Sequence, residues 1–255
     1  MIKKKILITG SSSGLGLYLK KKYNAVGFNR YGLTYKGYFK KKWDLIIHCA
    51  WDPKNYEISD VGRYYKNTIE FSHLISKLSG KKFFMSTVAV YEKNKINDRN
   101  ENSFIDQSKL SIYAKTKFIS ESFFRAKDDT ILRLGSLAGH EMRDCTISKI
   151  LSNKKCKINL SKDSKFSYVS YSEIGNFIDY VIINKKRGIF NFLRNDLKKL
   201  DFYCKYINAY NLKFGQIKFD VITAENKKIQ NLGFFNSKLK KKSENVLKEY
   251  VKIKN

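Results

Sequence analysis

The sequence predicts an α/β fold built on a doubly wound parallel sheet, and three observations indicate it. An apolar strand at residues 6–9 runs into a glycine-rich turn at 10–16. Further apolar segments follow at 44–51, 83–91 and 131–134, with helical patterns between them. The length of 255 residues suits one nucleotide-binding unit with a small appended lobe.

The first strand, turn and helix have the pattern of a Rossmann-type βαβ unit. Gly10 permits the tight turn, Gly14 lets the backbone approach a phosphate, and Gly16 allows close helix packing. Unpaired N–H groups at the start of the helix would face the anion. The residues expected at this pyrophosphate site are Gly10, Ser11, Ser12, Ser13, Gly14, Leu15 and Gly16.

A tyrosine and a lysine are spaced for one face of a helix. Tyr113 and Lys117 are four residues apart. A tyrosine hydroxyl has an ordinary pKa near ~10, and a neighbouring ammonium group favours the phenolate form. The pair is therefore a candidate for acid–base chemistry at neutral pH. In a chain with 17 tyrosines such spacings also arise by chance, so other segments must support it.

The segment 83–91 predicts a buried strand that ends in hydroxyl residues. A doubly wound sheet places its ligands beside the carboxyl ends of its strands. Thr87 is therefore a candidate for hydrogen bonding to a substrate oxygen, and Ser86 would replace it if the register shifted by one residue.

These segments together resemble the short-chain dehydrogenase/reductases, and more closely their extended branch, the NAD-dependent epimerase/dehydratase family. The resemblance extends to about residue 192 and includes "DLIIHCAW", "YYKNTIEFSHLISKL", "FFMSTVAVY", "YAKTK", "ILRLGSLAG" and "FSYVSYSEIGNFIDYVI". It implies Tyr113 as general acid/base, Lys117 as its partner and ribose anchor, and Thr87 as the substrate-holding hydroxyl. It also implies cofactor contacts at Cys49, Ala50 and the helix residue Asn67, and at Tyr113 and Lys117 themselves.

The resemblance implies an oxidoreductase that acts on nucleotide sugars. Dehydratases of this family follow the catalytic threonine with an Asp-Glu pair, whereas Val88 and Ala89 occupy those positions here. Reduction of a 4-keto nucleotide sugar is therefore favoured, with Tyr113 as proton donor. The alternatives are a nucleotide-sugar epimerase, a ketoreductase of a non-sugar substrate, and a non-catalytic NADP(H)-binding regulator.

The loop after the second strand indicates the cofactor. An acidic side chain there would bind a ribose 2′-hydroxyl, but the loop begins Asn29-Arg30. Because an arginine can bind a 2′-phosphate with two hydrogen bonds, NADP(H) is preferred, and NAD(H) stays open as an alternative.

Two domains are expected: a Rossmann domain at 1–139 and 166–192, and a reduced substrate-binding lobe at 140–165 and 193–255. The four cysteines have no metal-like spacing, so neither a metal site nor a disulfide framework is expected, and a reducing cytoplasm is the expected compartment. No membrane span is expected, and a homodimer is compatible with the family resemblance.

The formal net charge of +28 would ordinarily suggest nucleic acid or an anionic surface as a partner. The basic runs at 3–5, 20–22, 40–42, 154–157, 185–187 and 238–242 are scattered along the chain, and no RNA-binding motif is present. We therefore expect no specific nucleic-acid partner. The charge would attract an anionic nucleotide-sugar substrate and cofactor, with loose RNA association as a rival interpretation.

Overall fold

The computed structural model describes residues 4–28, 36–52, 61–152, 155–234, 243–244 and 246–247. A six-stranded, wholly parallel sheet organises the described chain, in the order β2-β1-β3-β4-β5-β10. Its strands are β1 (Ile6–Thr9), β2 (Val26–Phe28), β3 (Leu45–His48), β4 (Lys81–Thr87), β5 (Thr130–Leu134) and β10 (Gly188–Phe192). Every residue of β1, β3 and β5 is buried, as expected for strands covered on both faces.

Helices cover the sheet, and the order in which successive strands are added reverses between β1 and β3, although all the strands stay parallel. This reversal opens a crevice at the carboxyl edge of the sheet, where doubly wound folds bind their ligands. The helices are α1 (Gly14–Tyr23), α2 (Lys36–Lys40), α3 (Val61–Tyr65), α4 (Phe71–Ser76), α5 (Ile112–Glu121), α6 (Thr146–Ser152), α7 (Tyr171–Ile183), α8 (Leu200–Tyr206) and α9 (Lys227–Asn231). The predicted α/β, Rossmann-type sheet is confirmed.

Two predicted elements differ in detail. The apolar run at 83–91 predicts one strand, but β4 ends at Thr87 and residues 88–91 form a 3₁₀ turn. The side chain of Thr87 causes this change, because its Oγ1 accepts a hydrogen bond from the Ala89 N–H at 3.1 Å. The central helix is interrupted between α3 and α4 by a π-helical turn at 66–70 that contains Asn67.

A second group of small elements packs beside the sheet. The remaining strands are β6 (Leu137–Ala138), β7 (Cys156–Leu160), β8 (Lys165–Phe166), β9 (Val169–Ser170), β11 (Lys198–Lys199) and β12 (Leu212–Ile217). They form three two-stranded sheets: β12-β7, β11-β8 and β6-β9. Ile150, Ile158, Leu200 and Tyr203 belong to a separate apolar cluster there. The division into two domains stays a prediction.

Hydropathy gives one further result. Across the residues that the structure describes, no helix combines the length and apolarity needed to cross a bilayer.

Candidate active site

A cavity of about 270 Å³ lies at the carboxyl edge of the sheet. It brings together segments that are more than a hundred residues apart in the sequence: the glycine turn, the ends of β3 and β4, and the first half of α5. The predicted site residues that line it are Gly10, Ser13, Gly14, Leu15, Gly16, Cys49, Thr87, Tyr113 and Lys117.

The glycine turn has the geometry that a dinucleotide pyrophosphate requires. Gly10 has φ +66°, and a Cβ there would come within 2.8 Å of the Ala50 backbone. A Cβ on Gly16 would overlap the carbonyl oxygen of Gly10. The N–H groups of Leu15 and Gly16 in the first turn of α1 have no acceptor within the described residues. The turn thus fits an anionic dinucleotide, which a helix N-terminus favours.

Lys117 is buried beneath the cavity, with 3% of its surface exposed. Its Nζ donates to the carbonyl oxygen of Met85 at 2.8 Å and lies 5.1 Å from the centre of the Phe84 ring. Burial lowers the pKa of Lys117 to about 8, although Cys49 and Glu121 act in the opposite direction. A lysine in this position changes its charge close to neutral pH, which an isolated lysine does not.

Cys49 directly follows β3, and its thiol is influenced by the charge of Lys117. Burial raises the pKa of this thiol to about 12, with Lys117 opposing the shift, so Cys49 is a neutral lining residue. It is one of the predicted cofactor contacts that the cavity includes.

Tyr113 stands one turn before Lys117 on α5. The side chain of Ser111 caps this helix by accepting a hydrogen bond from the Ala114 N–H at 3.3 Å, which fixes where the helix begins. The Tyr113 ring packs against Trp51, with 5.2 Å between the ring centres and a tilt of 59°. Both rings line the cavity, so Tyr113 is held by packing from one side.

Ser86 and Thr87 end β4 but have different hydrogen-bonding roles. The Ser86 hydroxyl donates to Oε1 of Glu121 at 2.5 Å. Its proton is therefore used in this hydrogen bond and is not offered to a ligand in the cavity. Thr87 Oγ1 accepts from Ala89, and within the described residues its hydroxyl donates to no acceptor. Thr87 therefore keeps a proton that it can offer to a ligand oxygen, as the predicted register requires.

A buried ion pair supports this end of the sheet. Glu121 lies one turn beyond Lys117, and its carboxylate accepts from Arg133 Nε at 3.0 and 3.2 Å and from Nη2 at 2.7 Å. The two side chains are only 6% and 3% exposed. Arg133 also donates to the Tyr91 hydroxyl at 2.5 Å, which in turn donates to Asn191 at 3.0 Å. This network connects α5, β4, β5 and β10 directly below the candidate site.

A second buried network connects β1, β3 and α4. His48 is fully buried, and its Nδ1 and Nε2 lie 2.6 Å from Thr9 Oγ1 and 2.9 Å from Ser72 Oγ. Burial, and secondarily the charge of Lys117, holds the pKa of His48 well below its usual value. Thr9 Oγ1 also accepts from the Ala50 N–H at 3.2 Å, so the network shapes the wall of the cofactor crevice.

The cavity also contains residues that sequence patterns did not indicate, and several come from the segment at 137–145. Gly14 N donates to the Glu141 carbonyl at 3.0 Å, and Arg143 Nε donates to Ser13 Oγ at 2.9 Å. The guanidinium carbon of Arg143 is 5.9 Å from the Trp51 ring centre. The first residues of this segment belong to the quoted "ILRLGSLAG", but no motif covers 140–145. The lining residues to which the sequence assigned no role are Trp51, Met85, Leu134, Gly135, Leu137, Met142, Arg143, Cys145 and Tyr171, whereas Ser86 was the predicted alternative to Thr87.

The other predicted contacts are placed differently. Ala50 and Asn67 line a neighbouring cavity of about 430 Å³, where the Asn67 amide donates to Asp52 at 2.9 Å. Ser11 is buried and Ser12 is exposed on the turn, and neither lines the main cavity. Asn29 and Arg30 lie outside the described residues.

Comparison with known proteins shows which fold this is. No family model matches the chain, and no curated protein sequence matches it. A solved dTDP-4-dehydrorhamnose reductase from Bacillus anthracis, in complex with NADP, superposes with a TM-score of 0.79 at 16% identity, over 100% of both chains. The chain has the fold of the extended short-chain dehydrogenase/reductases. The predicted resemblance is therefore confirmed at the level of the fold.

Two further structures with this fold carry out different reactions. A UDP-N-acetylglucosamine 4-epimerase from Methanobrevibacter ruminantium, in complex with UDP-N-acetylmuramic acid, has a TM-score of 0.78 at 16% identity, covering 99% of this chain and 98% of the epimerase. An NAD-dependent NDP-hexosamine 5,6-dehydratase of tunicamycin biosynthesis has a TM-score of 0.77 at 13% identity, covering 99% of both chains. The fold is thus shared by a reductase in complex with NADP, an NAD-dependent dehydratase and an epimerase in complex with a UDP-sugar.

Proposed function

We propose that the protein is an NAD(P)-dependent oxidoreductase that reduces the 4-keto group of a nucleotide sugar. The observation that carries this proposal is the placement of Thr87, Tyr113 and Lys117 in the same cavity as the glycine turn. A bound dinucleotide of this kind supplies or accepts hydride at its nicotinamide ring. The neighbouring folds that bind NADP or nucleotide sugars support the same class of ligand.

The chain's own residues then have distinct roles. Leu15 and Gly16 offer N–H groups to the pyrophosphate. Thr87 donates a hydrogen bond from its hydroxyl to the keto oxygen, which holds and polarises it without transferring the proton. Tyr113 delivers the proton to that oxygen as it becomes an alkoxide, and the Lys117 ammonium lowers the cost of the phenolate that remains.

Reduction is favoured over dehydration by the charge of the cavity. Among its described lining residues there is no Asp or Glu, so no carboxylate there can remove a proton from carbon during loss of water. Val88 and Ala89, which follow Thr87, supply no acid–base group. The preference for NADP(H), which rests on Arg30, remains part of the proposal.

The test combines purified protein, NADPH or NADH, and a panel of 4-keto nucleotide sugars, with cofactor absorbance and product mass followed together. The expected result is cofactor oxidation with a product two hydrogens heavier. If the product had unchanged mass and the cofactor showed no net oxidation, the protein would be an epimerase and not a reductase. If only non-sugar ketones gave a reduced product, the proposed oxidoreductase activity would stand, but the proposed nucleotide-sugar substrate would be wrong.

Tyr113→Phe tests the proton donor. This variant should lose at least about a hundredfold in kcat, because general acid catalysis contributes roughly 10²–10⁴-fold. Its Kd for NADPH should stay within about twofold of that of the parent protein, since the ring and its packing on Trp51 are kept. Tyr210→Phe, at a tyrosine that is 71% exposed, is the matched control. Full turnover by Tyr113→Phe would contradict the assigned role.

A further inference from the structure

The fold brings five basic segments that are far apart in the sequence, three of them within the basic runs noted above, to one surface. Residues 4–5 precede β1, 41–42 precede β3, 81–82 begin β4, 125–127 precede β5 and 185–187 precede β10. Because all six strands are parallel, their starts lie at one edge of the sheet. We call the Lys and Arg side chains of these five segments the basic edge.

Hydrogen bonds show that the basic edge is continuous. Lys81 Nζ donates to the Lys186 carbonyl at 3.4 Å, and Arg187 Nη1 donates to the Lys127 carbonyl at 3.2 Å. At the other end, the Lys5 N–H donates to the Asp44 carboxylate at 2.7 Å in the turn before β3. With strands about 4.8 Å apart, the four intervals between these five strands span roughly 20 Å.

The charge of the basic edge is largely uncompensated. It has eleven basic side chains, and the acidic residues among them are Asp44, Asp128 and Asp129, which leaves a net charge of +8. Asp128 pairs with Arg125 at 2.8 Å and with Arg187 at 3.8 Å. The other nine basic side chains form no ion pair within the described residues.

Repulsion between these charges is visible in one side chain. The pKa of Lys81 is lowered by partial burial and then by the nearby charge of Arg187, while Asp129 acts in the opposite direction. A surface whose charges repel one another gains free energy when a polyanion covers it.

We propose that the basic edge docks the protein on an anionic lipid bilayer surface. The edge is broad and dominated by lysine, which suits a surface of anionic headgroups. Apolar side chains stand among its charges: Ile183 is 76% exposed just before 185–187, and Val26 is 44% exposed in a groove of about 670 Å³ between Lys4, Lys5 and Lys41. Such side chains can enter the interfacial layer of a bilayer.

Two observations favour a bilayer over a nucleic acid. Single-stranded nucleic acids bind to exposed aromatic rings, but the rings that directly flank these five segments are buried: Trp43, Phe83 and Phe124 are 5%, 0% and 3% exposed. The candidate active site also lies at the opposite, carboxyl edge of the sheet. Docking through the basic edge would therefore leave that cavity open to dissolved substrate.

The test is co-sedimentation with phosphatidylcholine vesicles that contain about one third phosphatidylglycerol, beside pure phosphatidylcholine vesicles. The parent protein should bind only the anionic vesicles, and binding should weaken as salt is raised because these exposed charges are screened. The edge variant carries Lys41→Glu, Lys42→Glu, Lys185→Glu and Lys186→Glu, and should partition roughly 1,000-fold less strongly, because each lysine near an anionic surface contributes about 1 kcal/mol.

A control variant makes the same change in total charge elsewhere, at four exposed lysines without ion pairs in the described chain. Its substitutions are Lys93→Glu, Lys95→Glu, Lys157→Glu and Lys213→Glu. This control should retain vesicle binding within about threefold. Far-ultraviolet circular dichroism and thermal unfolding of both variants establish that each remains folded.

Three results would overturn the proposal. The first is failure of the parent protein to sediment with anionic vesicles at low salt. The second is an equal loss of binding in the edge and control variants, which would mean that total charge acts without a docking surface. The third is binding of a single-stranded or duplex RNA oligonucleotide through the basic edge while vesicles do not bind, which would assign the surface to nucleic acid instead.

Discussion

The buried pair of Glu121 and Arg133 offers the sharpest test of how the candidate site is supported. Glu121→Gln keeps the size of the side chain but removes its charge. Arg133, which is 3% exposed, would then be a buried cation without its counter-charge. The carboxylate accepts four hydrogen bonds, three from Arg133 and one from Ser86, and a single amide oxygen cannot replace them all.

Breaking a buried ion pair at one partner costs roughly 3–5 kcal/mol, so we expect the free energy of unfolding to fall by about that amount. For a chain of this size each kcal/mol lowers the Tm by roughly 2–4 °C, which predicts a decrease of about 6–20 °C. Urea unfolding followed by circular dichroism gives the free energy, and calorimetry gives the Tm.

Asp163→Asn is the matched control, because it makes the same carboxylate-to-amide change in an exposed pair. Asp163 accepts from Lys199 at 2.7 Å, and both side chains are more than half exposed. An exposed pair contributes about 0–1 kcal/mol, so this variant should unfold almost like the parent. The reasoning would be refuted if Glu121→Gln cost less than about 1 kcal/mol, or no more than Asp163→Asn.

Three further predictions concern the cavity. Lys117 has its pKa lowered to about 8, so its charged form is lost as pH rises through that value, and kcat/KM should fall above about pH 8; a flat profile to pH 10 would contradict this. Arg143→Ala should weaken NADPH binding roughly 10–100-fold in a fluorescence titration, because charge-assisted hydrogen bonds contribute about 1.5–3 kcal/mol, whereas Arg125→Ala should leave it unchanged. Gly16→Ala should abolish NADPH binding because its Cβ would overlap backbone, whereas Gly62→Ala, with no atom within 4 Å of the added Cβ, should bind normally.

Local patterns in the sequence predicted much of the fold and part of the candidate site. The alternation of buried strands and helices predicted the doubly wound sheet, because apolar runs and the spacing of apolar residues indicate which elements are buried. The glycine turn and the four-residue spacing of Tyr113 and Lys117 are likewise local. Their chemical roles, and that of Thr87, remain predictions that the geometry permits.

Contacts between distant segments followed only from the tertiary structure. Arg143 reaches Ser13 across 130 residues, and no pattern in either segment indicates the contact. Thr87 ends β4 because its own side chain bonds to the backbone two residues later, which apolar spacing does not reveal. Five basic segments that are far apart along the chain share one edge because parallel strands all begin on the same side. Sequence determines what each segment can form, whereas strand order and direction decide which charges and side chains meet.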